Sequence, residues 1–257
     1  YYSNSTRYNH ISLQEGTLST GVVTTCNSFE FTSFWTDSKN NHIEDLMDFS
    51  VTFLAKDTIL KILTRYCVFN TEEQLLVMRP YQIAATEAIV SRALRSVESG
   101  TLSVPEAGGY IWHTTGSGKT LTSFKTAQLM QEMPEFDKIL FIVDRKDLDY
   151  QSMKEFQKFQ EGAVNGSTNT RMLKQVLDDN SKRIVVTTIQ KLNRFVSSYR
   201  SHPIYKKRVV MIFDECHRSQ FGAMHEAITG AFKNYILFGF TGTPIFATNA
   251  VATYSID

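Results

Sequence analysis

His113-Thr114-Thr115-Gly116-Ser117-Gly118-Lys119-Thr120 decides how the rest of the chain is read. Before it runs Gly109-Tyr110-Ile111-Trp112, short and apolar enough for a buried strand, and after it runs Leu121 to Met130, mostly good helix formers. Strand, glycine loop and helix, in that order, make a phosphate-binding loop. Gly116 and Gly118 let the backbone curl so that successive N–H groups face phosphate oxygens, and the loop ends at the positive N-terminus of a helix. In that geometry Thr115, Gly116, Ser117 and Gly118 line the cradle, Lys119 reaches the β- and γ-phosphates of ATP, and the Thr120 hydroxyl sits on Mg2+. The strict pattern G-x-x-x-x-G-K-[ST] asks for glycine where His113 stands. That first glycine only eases the strand into its turn, whereas the last four residues hold the phosphates, so the functional part is intact.

A chain of 257 residues is long enough for one good core, or for one domain with an appended segment. Its longest apolar runs, such as Val209 to Phe213, are about five residues and fall far short of a bilayer span, which argues against a membrane partner. Tyr1-Tyr2-Ser3-Asn4 lacks the charged start and apolar core of a signal peptide. Cys26, Cys67 and Cys216 are widely separated and form no C-x-x-C pair, which favours a reducing, cytoplasmic setting without structural zinc. A net charge of +1 says nothing about nucleic acid, because a protein that grips DNA through a few placed groups need not be basic overall. The chain begins without Met and stops soon after a Gly-Thr-Pro motif, so a piece of something longer is expected.

Residues 1 to about 41 are rich in Ser, Thr and Asn, with aromatics at Phe29, Phe31, Phe34 and Trp35 that are expected to pack onto a neighbouring domain. From Ile43 to Tyr66 apolar residues recur at helical spacing, predicting two helices with Asp57 as the cap of the second. Pro80 opens another helix that runs toward Gly100. After the loop, strands over Lys138–Asp144, Arg183–Thr188, Lys207–Phe213 and Tyr235–Phe240 alternate with helical stretches through Leu148 to Phe156, Arg171 to Leu177, Gln190 to Val196 and Met224 to Ala231. Continuous apolar strands alternating with helices predict an α/β fold with a central parallel sheet covered on both faces.

The strand through Val209 to Phe213 ends in Asp214-Glu215-Cys216-His217. A carboxylate at the C-terminal end of a buried parallel strand lies where the phosphate loop also opens. Asp214 would hold Mg2+, Glu215 would orient and deprotonate the attacking water, and His217 would couple this site to a neighbouring motif. The strand ending at Phe240 delivers Thr241-Gly242-Thr243-Pro244 to the same edge, where the Thr241 and Thr243 hydroxyls can relay the state of the nucleotide; the plainer reading is a turn that caps a strand. Gln82, some thirty residues before the loop, has an amide able to accept from adenine N6 and donate to N7. Its plainer reading is a polar residue in the first turn of a helix.

Residues 79 to 246 resemble the first RecA-like lobe of superfamily 2 helicases, whose phosphate loop is commonly written T-G-S-G-K-T without a leading glycine. More narrowly, MRPYQIAATEAI, GGYIWHTTGSGKTLTSFKTA, FIVDRKDLDYQ, VVTTIQKLNRF, FDECHRSQFG and FGFTGTPIF are similar to the motor (R) subunit of type I restriction-modification enzymes. The resemblance implies a RecA-like P-loop NTPase lobe over 79–257, preceded by a connector over 1–78 that joins a nuclease domain to the motor. It implies an ATP-dependent translocase of double-stranded DNA, acting with methyltransferase and specificity subunits in a bacterial or archaeal cytoplasm and cutting far from its recognition site. By the same analogy Asp144-Arg145 and the stretch Thr187 to Lys191, with Thr188, Gln190 and Lys191, fall in motifs that touch the DNA backbone.

The family's nuclease motif, an Asp with a Glu-x-Lys, is not found here, since Glu135-Phe136-Asp137-Lys138 has the wrong spacing. The second RecA-like lobe, with its arginine fingers, is not found either. This segment alone is therefore expected to bind ATP weakly and hydrolyse it poorly. The rivals are another superfamily 2 DNA or RNA helicase and a nucleotide-binding module without catalysis. Thr241-Gly242-Thr243-Pro244 stands against the first, because many RNA helicases carry Ser-Ala-Thr there, and Glu215 stands against the second.

Overall fold

An acidic residue just before an apolar run marks a helix start, and Asp45 acts as one. Its carboxylate accepts from Met47 N at 2.8 Å and Asp48 N at 3.0 Å, opening α1 (Leu46–Phe53). The computed structural model describes residues 34–69, 75–114, 116–143, 170–214 and 222–242. The chain divides into two compact units, one taking in residues up to Cys67 together with Val77–Ala84, the other Val68–Leu76 and the residues from Ala85 on.

In the first unit α1 is followed by α2 (Lys56–Arg65), so the two expected helices are present. Asp57, however, lies inside the first turn of α2, and Ala55 occupies the cap position without a side-chain bond. The carboxylate there favours the positive helix end by charge alone. Trp35 packs within its own unit: its ring meets Phe53 edge-on at 5.1 Å and its Nε1 donates to Thr52 Oγ1 at 3.0 Å. Phe29 and Phe31 lie outside the described residues. β1 (Cys67–Phe69) and β2 (Leu75–Val77) pair in a small sheet of their own, which periodicity did not announce because three residues are too few to alternate. α3 (Pro80–Glu98) starts at the proline as expected, and Gln82 Oε1 accepts from Arg79 N at 2.8 Å, so one of the end's exposed donors is satisfied.

The second unit is built on a five-stranded sheet of β3 (Gly109–Trp112), β4 (Lys138–Val143), β5 (Ile184–Thr188), β6 (Arg208–Phe213) and β7 (Asn234–Thr241). Its order is β3-β7-β6-β4-β5, and every ladder is parallel. α4 (Lys119–Gln131) follows the phosphate loop; α5 (Thr170–Asp178), α6 (Ile189–Ser198) and α7 (Ala223–Ala231) complete the described helices. The helical stretch expected over Leu148 to Phe156 lies outside the described residues. Alternate strand residues point to opposite faces: Ile139, Phe141 and Val143 join Ile89, Ala93, Phe124 and Met130 from α3 and α4, whereas Leu140 and Ile142 join residues of α5, α6 and α7. Burial on both sides is why β4 and β5 carry no polar alternation.

One charged group enters this core where backbone carbonyls receive it. Lys138, 1% exposed at the start of β4, donates through Nζ to the carbonyls of Val176, Asp179 and Lys182 at 3.0, 2.5 and 2.6 Å. Burial, with Lys207 nearby, pushes this ammonium down from 10.5 to about 8. Because the folded-state value is the lower one, the unfolded chain binds the extra proton between those two pH values, and stability rises with pH through that window. Lys138→Met should abolish that rise and, by leaving three carbonyls without their donor, lower stability at pH 7 by about 1–3 kcal/mol. Urea denaturation at pH 7 and at pH 10 checks both.

Candidate active site

β3 lies beside β7 with Trp112 opposite Thr241, and the ladder continues one step past the strand, where His113 N donates to Thr241 O at 3.0 Å. The His113 side chain is 8% exposed and meets the Phe240 ring edge-on at 6.1 Å. The imidazole thus fills space against β7 that a glycine would leave open. Burial first, and then the charge of Lys119, push its pKa below the ordinary 6.5, so it is neutral at pH 7 and adds no second cation beside the lysine.

Past His113 the chain turns sharply. Ser117 N and Ser117 Oγ both donate to Thr114 O, at 3.2 and 2.7 Å. Gly116 has φ +79° and Gly118 φ +77°, a left-handed backbone that only glycine adopts readily. Gly118 is the N-cap of α4 and offers no side-chain cap; Lys119 and Thr120 follow in the first turn, both half-buried. The arrangement is a positive helix end with a lysine at its mouth, which suits an anion. Thr115 lies outside the described residues.

α4 is held rigidly behind the loop. Thr122 through Ala127, with Leu129 and Met130, are buried. Its buried hydroxyls find partners: Thr126 Oγ1 bonds Thr122 O at 2.8 Å and Thr86 Oγ1 of α3 at 3.2 Å, and Thr122 Oγ1 bonds Gly118 O at 3.1 Å. Sequence periodicity gave no sign of this, because the helix is buried nearly all round and has no polar face to reveal its orientation.

Asp214 comes straight after β6 and is half-buried, and its N donates to Ile142 O at 3.0 Å, which fixes the residue at the end of the ladder with β4. One strand, β7, separates β6 from β3, so Asp214 and the loop emerge roughly 10 Å apart along the same edge. Thr241 ends β7 between them and is 2% exposed. Glu215, His217, Thr243 and Arg145 lie outside the described residues. At the far end of the edge Thr188 is 2% exposed and caps α6, its hydroxyl accepting from Lys191 N at 3.2 Å, while Gln190 and Lys191 occupy the helix's first turn. Gln82 belongs to the other compact unit and is buried there. Among the described residues no group of three or more His, Cys, Asp or Glu side chains could hold a metal, and no helix is long and apolar enough to cross a membrane. Sequence reading passed over Trp112, whose Nε1 donates to Gly242 O at 3.2 Å.

A parallel sheet with a glycine loop, a carboxylate and a buried threonine along its C-terminal edge has the architecture of a RecA-like P-loop NTPase lobe. The profile of the SWI2/SNF2 ATPase family matches residues 81–256. The chain is 48% identical over 200 residues to the C-terminal part of the type I restriction enzyme MpnIIP endonuclease subunit of Mycoplasma pneumoniae, covering 76% of this chain and 97% of that one. It is 45% identical over 221 residues to the type I restriction enzyme SauMSSORF170P endonuclease subunit of Staphylococcus aureus, covering 84% of this chain but 23% of that relative's length. Among solved structures, the UvsW helicase of bacteriophage T4 superposes with a TM-score of 0.50 at 19% identity over 81% of this chain and 64% of that one, a likeness of fold. The chain belongs to the SWI2/SNF2 ATPase family and, within it, to the type I restriction enzyme endonuclease subunits.

The left-handed geometry of the loop gives a direct test. A Cβ at Gly116 would meet nothing within 4 Å, so Gly116→Ala isolates the conformational cost. It should lower the unfolding free energy by about 1–2 kcal/mol, read by chemical denaturation.

Proposed function

We propose that this chain is the first motor lobe of an ATP-dependent DNA translocase and endonuclease, the R subunit of a type I restriction enzyme. The observation that carries the reading is the convergence of the glycine loop, Asp214 and Thr241 on one sheet edge, in a chain whose relatives are named type I restriction endonuclease subunits. The division of labour within the chain, a connector over 1–78 and the ATPase lobe over 79–257, belongs to the same proposal.

In this reading Thr115 to Thr120 cradle the phosphates of ATP, with Lys119 on the β- and γ-phosphates. Gln82 reads the adenine edge. Thr120 and Asp214 offer a hydroxyl and a carboxylate, the hard oxygen donors that Mg2+ takes together with phosphate oxygens and water. The metal, when bound, neutralises charge on the phosphates. Glu215 orients the attacking water and takes its proton, and His217 with Thr241 and Thr243 passes the state of the nucleotide to the DNA side. There the positive N-terminus of α6, with Thr188, Gln190 and Lys191, and Arg145 at the neighbouring strand end, would touch phosphates of double-stranded DNA.

The missing wall of the nucleotide site would come from a second RecA-like lobe. An arginine finger from such a lobe is worth about 10³ to 10⁵ in rate, or roughly 4–7 kcal/mol. The nuclease domain of the same polypeptide, and the methyltransferase and specificity subunits, would complete the assembly in the cytoplasm.

Two substitutions in the full assembly separate the roles. Lys119→Ala should abolish ATP binding and ATP-dependent restriction, and persistent restriction would sink the loop assignment. Glu215→Gln should keep nucleotide affinity in equilibrium titration while turnover stalls; loss of affinity would instead make Glu215 structural.

A further inference from the structure

We infer that Trp112 is a positioning residue, whose indole N–H holds Gly242, the residue just past β7, in register with the strand that leads into the phosphate loop. The inference rests on the ATPase reading of the site and adds a residue to it.

Two neighbouring residues, Trp112 and His113, lead directly into the loop, and both hold the end of β7. His113 does so through its main chain, donating to Thr241 O at 3.0 Å, and through its ring against Phe240. Trp112 does so through its side chain, donating from Nε1 to Gly242 O at 3.2 Å. The two bonds differ in kind. The first prolongs the parallel ladder in which Trp112 faces Thr241, and any residue with a backbone N–H would make it. The second reaches one residue beyond the last residue of β7, where the ladder has ended, and it needs a side chain long enough to carry a donor that far.

Burial does not account for this tryptophan. Its side chain is 58% exposed, as is that of Tyr110 two residues earlier on the same face of the strand, whereas Ile111 between them packs into the core. A large ring left mainly in solvent contributes little to the core, and its donor to Gly242 is a contact that burial alone would not require. Thr241 is buried as the last residue of β7, and the indole takes hold of the residue just past it, Gly242. A displacement of the loop as nucleotide binds or leaves would be carried by Trp112 to Gly242 at the end of β7.

The test is made in a full-length endonuclease subunit carrying this segment, assembled with its partners and supplied with DNA and ATP. Trp112→Phe keeps a ring and removes the N–H; Trp112→Leu removes both. Each should lower kcat for DNA-stimulated ATP hydrolysis about three- to tenfold, the equivalent of losing one hydrogen bond, while KM for ATP stays within about twofold. The inference is overturned if Trp112→Phe turns over like the wild type, if only the Leu variant is impaired, if KM rises with kcat unchanged, or if Trp112→Phe fails to fold. Lys119→Ala, run beside them, keeps the two levels apart. Normal hydrolysis in that variant would remove the ATP-site reading itself, whereas a dead Lys119→Ala with a normal Trp112→Phe removes only the role of Trp112.

Discussion

Every ladder in the sheet is parallel, and the registers bring Trp112 beside Thr241, Phe213 beside both Gly239 and Ile142, and Val143 beside Thr188. Parallel pairing of that kind sends each strand's C-terminal end to one edge, and whatever follows the strands is collected there. The phosphate loop, Asp214, Thr241-Gly242 and the start of α6 share one edge for this reason, although 72 positions separate Gly116 from Thr188. Buried strands are what keep the edge in register. A one-residue slip of β4 would turn Ile139, Phe141 and Val143 away from the cluster they share with α3 and α4 and exchange them for Leu140 and Ile142.

The elements of the sheet were legible because their signals are local. Runs such as Lys138 to Val143 and Val209 to Phe213 leave no polar alternation, and Pro80 and the glycine loop punctuate the helices. Strand order was not legible. The pattern says that strands are parallel and doubly covered, but β7, last of the described strands, inserts between β3 and β6, and nothing in its eight residues announces those neighbours. The first unit misled at Asp57 because an acidic residue in a first turn and one at a cap look alike in sequence, and only the backbone distinguishes them.

The site was legible to the extent that it depends on backbone shape. Gly116 and Gly118 sit at the two left-handed positions that the motif demands, so residue type and conformation agree. Side-chain roles were harder to foresee. Thr188 was picked out as a group facing DNA, yet its hydroxyl is engaged in capping α6, and whatever the helix end does for an anion is prepared by that cap. His113 looked like a blemish in the pattern and turns out to be packed against β7, where its neutral ring leaves the local charge to Lys119. Trp112 was read only as a strand residue leading into the loop; its bond to Gly242 joins positions 130 apart in the chain.

At the opposite edge of the sheet two cations gather the carbonyls at helix ends. Lys138, at the start of β4, gathers the carbonyls at the end of α5, and Arg183, just before β5, gathers those of Gln131, Met133 and Phe136 at and after the end of α4. Carbonyls at a helix C-terminus are the negative end of its dipole, and a buried cation is the group best suited to satisfy several of them together. For α4 the consequence is a helix anchored at both ends by charge logic. Its C-terminus is closed by Arg183, and its N-terminus is aimed at the phosphate loop with Gly118 as cap and no side chain competing for the position. Between the two ends the helix is buried nearly all round, with Thr122 and Thr126 bonded to its own carbonyls and Thr86 tying it to α3. So held, the helix presents its positive N-terminus at one set place, and the left-handed backbone at Gly116 and Gly118 shapes the chain that leads into it.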